Sequence, residues 1–425
     1  MNKQKRCNAV SHVRSSLMWG CLLCMSFTSV LAQQASQPHS LLMNLNATDM
    51  VPQDIRSGIN YRVSDDVWSD GLVNTYQIQT VYGPLNVEST ALLYKKIAEL
   101  RALEQIEKLQ KTDAFMDALK NAGKAPFKTA QNLIDDPLDT VKGVGSGIGR
   151  WFKDVKSSVV SVDPHQPGAL ETALGQAPVK RQFAYQFGVD PYSTYEPLQK
   201  ALDHLAWASS GGGLTVKAAF SAVGGGAGTV LSVGGTAGGM KELVRDKSPT
   251  ELNKIISQHL DTMGVRGVIR ESFLANDQYG PQERVLLVGA LAGMNGVADR
   301  HLFVNIAATA PSEMVALYMR VQAQMMERHA QENKVARILA ADSVPFMQDE
   351  GGTAVGVFPL DYLLWTPGLA HKIDKIERDL TAANVKRKRL LFLGKVDPAA
   401  VDALDKRGWE VEEGVQTLAI LKAGK

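Results

Sequence analysis

All three cysteines of the chain, Cys7, Cys21 and Cys24, lie within its first 24 residues, and this distribution limits how the remainder can be held together. They share that segment with Lys3, Lys5, Arg6 and Arg14, with no acidic residue, and with the uncharged run 17–31. Basic residues followed by a short apolar stretch are the pattern of an export signal peptide. Val30 and Ala32 place small residues where a signal peptidase reads them, and polar Gln33 and Gln34 follow. As a retained anchor, the 15 residues of 17–31, at about 1.5 Å each, fall short of a hydrocarbon core of roughly 30 Å. Met18 and Trp19 ahead of Gly20-Cys21 suit a lipoprotein site poorly. The expectation is cleavage after Ala32, which leaves 393 residues and no thiol.

A thiol-free exported chain has no disulfide framework, no cysteine nucleophile and no thiolate zinc site. Its fold must rest on apolar burial, for which a composition of 45% hydrophobic and 21% charged residues is ordinary globular material. Loss of the four basic residues leaves 42 Lys+Arg against 44 Asp+Glu. That balance argues against a surface that grips nucleic acid through its phosphates.

The pattern along the chain predicts an α+β protein. Residues 33–54 are polar and read as a flexible leader. Residues 55–160 hold a β element followed by amphipathic helices. Period-two alternation in Asn74–Tyr82 marks a half-buried strand, and Ser69-Asp70-Gly71 marks its hairpin turn. Ser89 caps a helix whose Leu93, Ile97, Leu100, Leu103, Ile106 and Leu109 recur at steps of three and four, expected to run to about Ala122. Residues 161–208 read as a Pro-rich linker and short helix, and 209–247 as a Gly-rich segment of small residues. Residues 248–345 form a helical array: Ser248-Pro249-Thr250-Glu251 is a capping box with proline at the first helical position, and Pro281 and Ser312 open further helices. A linker and helix over 346–387 lead to a small β-α-β unit over 388–425, in which Asp397-Pro398 starts the helix and Gly408 ends it.

Two stretches stand out as possible functional surfaces. From Ile134 to Val159 apolar residues follow one another at helical spacing, and Trp151-Phe152 between Arg150 and Lys153 has the composition of a membrane–water boundary. Residues 218–240 carry no charge and are long enough to cross a bilayer, but eight of these 23 residues are glycine, which weakens partition into hydrocarbon. Gly224, Gly228, Ser232 and Thr236 place a small residue at every fourth position, the spacing of closely packed helices. Neither this stretch nor Gly143–Gly149 has the spacing of a phosphate-binding loop.

Catalytic patterns are weak. The nucleophile elbow, the H-E-x-x-H helix and the S-x-x-K motif are absent from the sequence, so a hydrolytic or metal-dependent site would have to be assembled from dispersed residues such as His204, His259, His301 and His329 with carboxylates. No cofactor or metal set is specified. The sequence therefore predicts a non-enzymatic protein exported to the periplasm or envelope of a Gram-negative-type cell. It would act peripherally at a membrane surface or as a scaffold for envelope proteins. Insertion of the Gly-rich segment into a membrane and a dispersed hydrolase site are the alternatives.

Overall fold

The computed structural model describes residues 43–122, 169–222 and 236–414, and over these the chain is a mixed α+β fold. Order starts earlier than the polar leader suggested. Within 33–54, Met43–Asn46 forms β1, and Asn46 then caps the short α1 (Ala47–Met50) by accepting the Thr48 N–H at 2.9 Å. After α2 (Gln53–Arg56), β2 (Tyr61–Ser69), β3 (Asn74–Thr80) and β4 (Leu85–Glu88) complete a four-stranded antiparallel meander in the order β1-β2-β3-β4. The expected turn joins β2 to β3, where the Asp70 carboxylate accepts the N–H groups of Leu72 and Val73. Alternation buries Val63, Val67, Tyr76, Ile78 and Val87 on one side of the meander.

These side chains join one apolar cluster with Leu93, Ile97, Leu100, Leu103 and Ile106 of α3 (Thr90–Gln110). The single helix expected to Ala122 is broken into α3 and α4 (Asp113–Ala122). Thr112 causes the break: its hydroxyl donates back to Leu109 O at 2.7 Å and accepts the Phe115 N–H, which starts a new helix. The Pro-rich linker is likewise largely helical. α5 (Ala169–Phe187) runs through Pro178, and α6 (Glu196–Gly212) and α7 (Val216–Ala222) follow. Pro178 removes one backbone bond, while Phe183, Ala184 and Phe187 beyond it are buried and hold the helix on the core.

The helical array expected over 248–345 holds α9 (Pro249–Thr262), α10 (Gly267–Ala275), α11 (Pro281–Gly293), α12 (His301–Ala307) and α13 (Glu313–Glu332), preceded by α8 (Thr236–Asp246) from the Gly-rich segment, but the end of that range, from Val335, is strand and not helix. The Ser248–Glu251 capping box is complete, with both reciprocal bonds present. Among the described helices, Gly289 and Gly212 mark close approaches. A Cβ on Gly289 would lie 2.6 Å from Met240 Cγ, and one on Gly212 only 1.8 Å from Ala118 O. No helix among the described residues is long and apolar enough to cross a membrane.

From Val335 onward the chain builds a five-stranded sheet. Its strands are β5 (Val335–Ala341), β6 (Val344–Asp349), β7 (Thr353–Phe358), β9 (Arg387–Phe392) and β11 (Trp409–Glu412), in the order β11-β9-β7-β6-β5. A two-residue parallel pair, β8 (Tyr362–Leu363) with β10 (Lys395–Val396), lies beside it. α14 (Pro367–Ala382) and α15 (Pro398–Asp405) carry the parallel connections. Of the β-α-β unit expected over 388–425, the described residues form β9-α15-β11 at the edge of this larger sheet, and 415–425 lie outside the described residues.

The linker expected at the start of 346–387 is instead strand, and its strands lack a sequence signal because the sheet is covered on both faces. Met347, Val355 and Val357 join the main apolar cluster, while Phe346, Ala354 and Phe392 pack with Ile373, Ile376, Leu404 and Trp409. Strands buried on both sides show no polar alternation.

Candidate functional site

Among the described residues, buried charge concentrates where α3, α11, α13 and the α5–α6 loop meet. Glu283, three residues into α11 and 4% exposed, occupies its centre. One carboxylate oxygen lies 3.5 Å from Lys95 Nζ of α3, and the other accepts Arg320 Nε of α13 at 2.8 Å. Lys95 also reaches Glu313 at 3.1 Å, and the second oxygen of Glu313 accepts the Thr194 hydroxyl at 3.3 Å. Arg320 donates onward to Gln324 at 2.7 Å. Beside this core, Lys96 pairs with Glu99 at 2.6 Å, and Ser193 donates to the same carboxylate.

Burial and pairing pull these groups in different directions. Burial opposes ionisation of Glu283, but Arg320 and Lys95 outweigh it and hold the carboxyl below the usual range. Burial likewise disfavours the Lys95 ammonium, and Glu283 and Glu313 more than compensate, so it stays charged well above its ordinary pKa. Asp190 is the exception. Burial pushes it up to about 7, with Lys95 only partly offsetting that and Glu283 adding to it; its carboxylate accepts the Tyr192 N–H at 2.9 Å. Lys241 on α8 is lowered by burial and by Arg320. The chemistry on offer is a matched set of cations and carboxylates tying four segments together, with one carboxyl poised to titrate near neutrality.

A second centre joins the two ends of the described chain. Asp361, just before β8, accepts the backbone N–H of Asn74 at 2.8 Å and that of Thr90 at 2.9 and 3.0 Å, across 287 and 271 residues of sequence. The Thr90 N–H is one of the unpaired donors at the start of α3, where a carboxylate also meets the positive end of the helix dipole. Ser89, at φ 78°, makes the turn sharp enough for this: its N–H still bonds Asn74 O in the sheet while its hydroxyl caps Leu92. Burial nonetheless raises the Asp361 carboxyl to about 6.

The third centre is Glu377 on α14. It accepts Lys388 at 2.7 Å, the Trp409 indole N–H at 2.8 Å and Arg407 at 3.0 Å. Lys388 belongs to four consecutive basic residues, Lys386 to Arg389, of which Arg389 in turn pairs with Glu412.

None of these centres was singled out by the sequence as a site. Glu283 carried only the signal of a helix start, and its partners are distant in the chain. Of the surface candidates, Arg150, Trp151, Phe152 and Lys153, and Gly224, Gly228 and Ser232, lie outside the described residues, while Thr236 is the first residue of α8. His204, His259, His301 and His329 fall on four different helices, α6, α9, α12 and α13. Among the described residues no three His, Cys, Asp or Glu side chains are grouped to hold a metal ion. Comparison with known proteins gives no match: no family model fits the chain, and no curated protein or solved structure is significantly similar to it.

Proposed function

We propose that the protein is an exported envelope component that works by holding partners in place, at a membrane surface or as a scaffold, without turning over a substrate. The observation that carries this reading is how the strongest polar centres are used. Glu283, Asp361 and Glu377 each have both carboxylate oxygens engaged by donors of the protein itself. A general acid or base must present an atom to the reacting group, whereas these groups are spent on joining helices, sheet and meander. The basic-then-apolar N-terminus supplies the export half of the reading.

Fractionation of native cells followed by alkaline carbonate extraction tests it. The protein is expected in the envelope fraction and is expected to be released by carbonate; resistance to carbonate would favour integral insertion through 218–240. In the same assay Trp151→Ala with Phe152→Ala should release the protein from membrane pellets without lowering its folded yield. Retention of the double variant in the pellet would remove those two residues from the membrane contact.

A further inference from the structure

We propose that residues 190–194 of the α5–α6 loop are a proton-operated latch, seated while Asp190 carries its proton and released when that proton is lost. The way charges pair around the loop carries the argument. Three cations of the buried cluster, Lys95 and Lys96 of α3 and Arg320 of α13, are each bound to carboxylates already: Lys95 to Glu283 and Glu313, Lys96 to Glu99, and Arg320 to Glu283. Asp190 is 5% exposed and makes no ion pair among the described residues. Its Oδ1 accepts the Tyr192 N–H at 2.9 Å, and its Oδ2 lies 3.7 Å from where a Cβ on Gly280, just ahead of α11, would stand.

Lys95 is the cation that favours ionisation of Asp190, and Glu283 of α11 and Glu99 of α3 oppose it. The other charges nearby are turned elsewhere: Lys241 of α8 stands by Arg320 and Glu283, Arg284 of α11 by Asp277, and Arg181 of α5 by the Tyr192 hydroxyl. Loss of the Asp190 proton therefore adds a fourth carboxylate to three that already share the paired cations, in a place where an unmatched charge is costly. Moving into water removes that cost. The loop is lightly fastened against such movement. Ser193 donates to Glu99, and Thr194 donates to Glu313 at 3.3 Å. Val189 and Tyr195 are buried at its two ends, and of the five residues between them only Tyr192 has a large apolar side chain, which is half-buried. The carboxyl ionises at its ordinary 3.8 in a released loop and at about 7 in a seated one, so release grows between about pH 4 and 7. Such a response to the pH of the surroundings goes beyond the proposed holding role and does not depend on where the protein resides.

Hydrogen exchange of the intact protein, corrected for intrinsic rates, tests this. The Ser193 N–H bonds Asp190 O and the Tyr195 N–H bonds the Ser193 hydroxyl, so both amides report release. Their protection should fall at least tenfold between about pH 5 and pH 7.5. At the higher pH their exchange should be insensitive to low concentrations of urea, as local opening is and global unfolding is not. In Asp190→Asn the fall should be less than about threefold, because the titrating group is gone. If that variant fails to fold, Asp190→Ser, which also keeps an oxygen for the Tyr192 N–H, should show the same flat profile. Constant protection in the parent, a fall in a folded variant equal to that of the parent, or exchange that rises steeply with urea would overturn the proposal.

Discussion

Asp190 is the residue whose protonation the fold should register most clearly. Its carboxyl is buried and raised to about 7, against an ordinary 3.8. A carboxyl raised in the folded state binds its proton more tightly there than in the unfolded chain. Its stabilising contribution is therefore complete below about pH 4 and is lost as the pH rises through 7. Asp190→Asn keeps an oxygen for the Tyr192 N–H and removes the titration. Urea unfolding of both proteins should give similar stabilities at pH 4, with the variant gaining on the parent by roughly 2–4 kcal/mol by pH 8. Parallel pH profiles would show that Asp190 titrates as an exposed carboxyl does. Glu283 has the opposite character: it is held below its usual range by Arg320 and Lys95 against the cost of burial, so its contribution is lost on acidification. The two groups oppose one another, which makes the difference between parent and variant the informative quantity.

At the scale of elements, the helices approach one another where a side chain is missing. Gly212 at the end of α6 lies against the backbone of α4, with Ala118 O 1.8 Å from where a Cβ would stand, while Gly289 of α11 meets only the flexible Met240 side chain of α8, at 2.6 Å. Backbone cannot yield without moving a whole helix, and a methionine can change rotamer. Gly212→Ala should therefore destabilise by about 2–3 kcal/mol and Gly289→Ala by about 1 kcal/mol or less, compared by thermal or urea unfolding. The reverse order would mean that α4 and α6 are free to separate.

The same scale shows what the sequence reveals. Signals confined to a few residues match the structure: the Ser69–Gly71 turn, the Ser89 cap, the Ser248 box, and Asp397-Pro398 with Gly408 around α15. Signals that depend on distant residues do not appear. β6 and β7 are covered on both faces and show no alternation, and α5 continues through Pro178 because the aromatics beyond it are buried. The small-residue spacing at Gly224–Thr236 drew attention to one place, whereas the closest described helix approach is at Gly212. The ionic centre was invisible for a simple reason: Lys95, Asp190, Glu283 and Arg320 come from four separate segments, and none is unusual among its neighbours in sequence.

For the whole molecule, Asp361 is the polar contact that reaches the meander, α3 and the C-terminal sheet at once, beside the apolar cluster they share. Its own N–H bonds Leu72 O at 3.1 Å, its carbonyl accepts Lys395 N–H at 3.1 Å, and its side chain holds Asn74 and Thr90. Asp361→Ala leaves two backbone donors without their partner in a buried place and should cost roughly 2–4 kcal/mol. Hydrogen exchange reads this directly, since the amides of Asn74 and Thr90 should lose protection in the variant while those of the α9 interior keep theirs. Unchanged protection at Asn74 and Thr90 would show that the two ends are held by other contacts.

On the proposed reading, a body fastened in this way, with its buried charges turned upon one another, would hold partners, and the basic-then-apolar leader would supply the route to them. The mass of the native protein tests that claim most directly. Protein recovered from the envelope fraction of native cells should begin at Gln33 and contain no cysteine. Recovery of a chain that still begins at Met1, in the cytosol and with all three thiols, would contradict it.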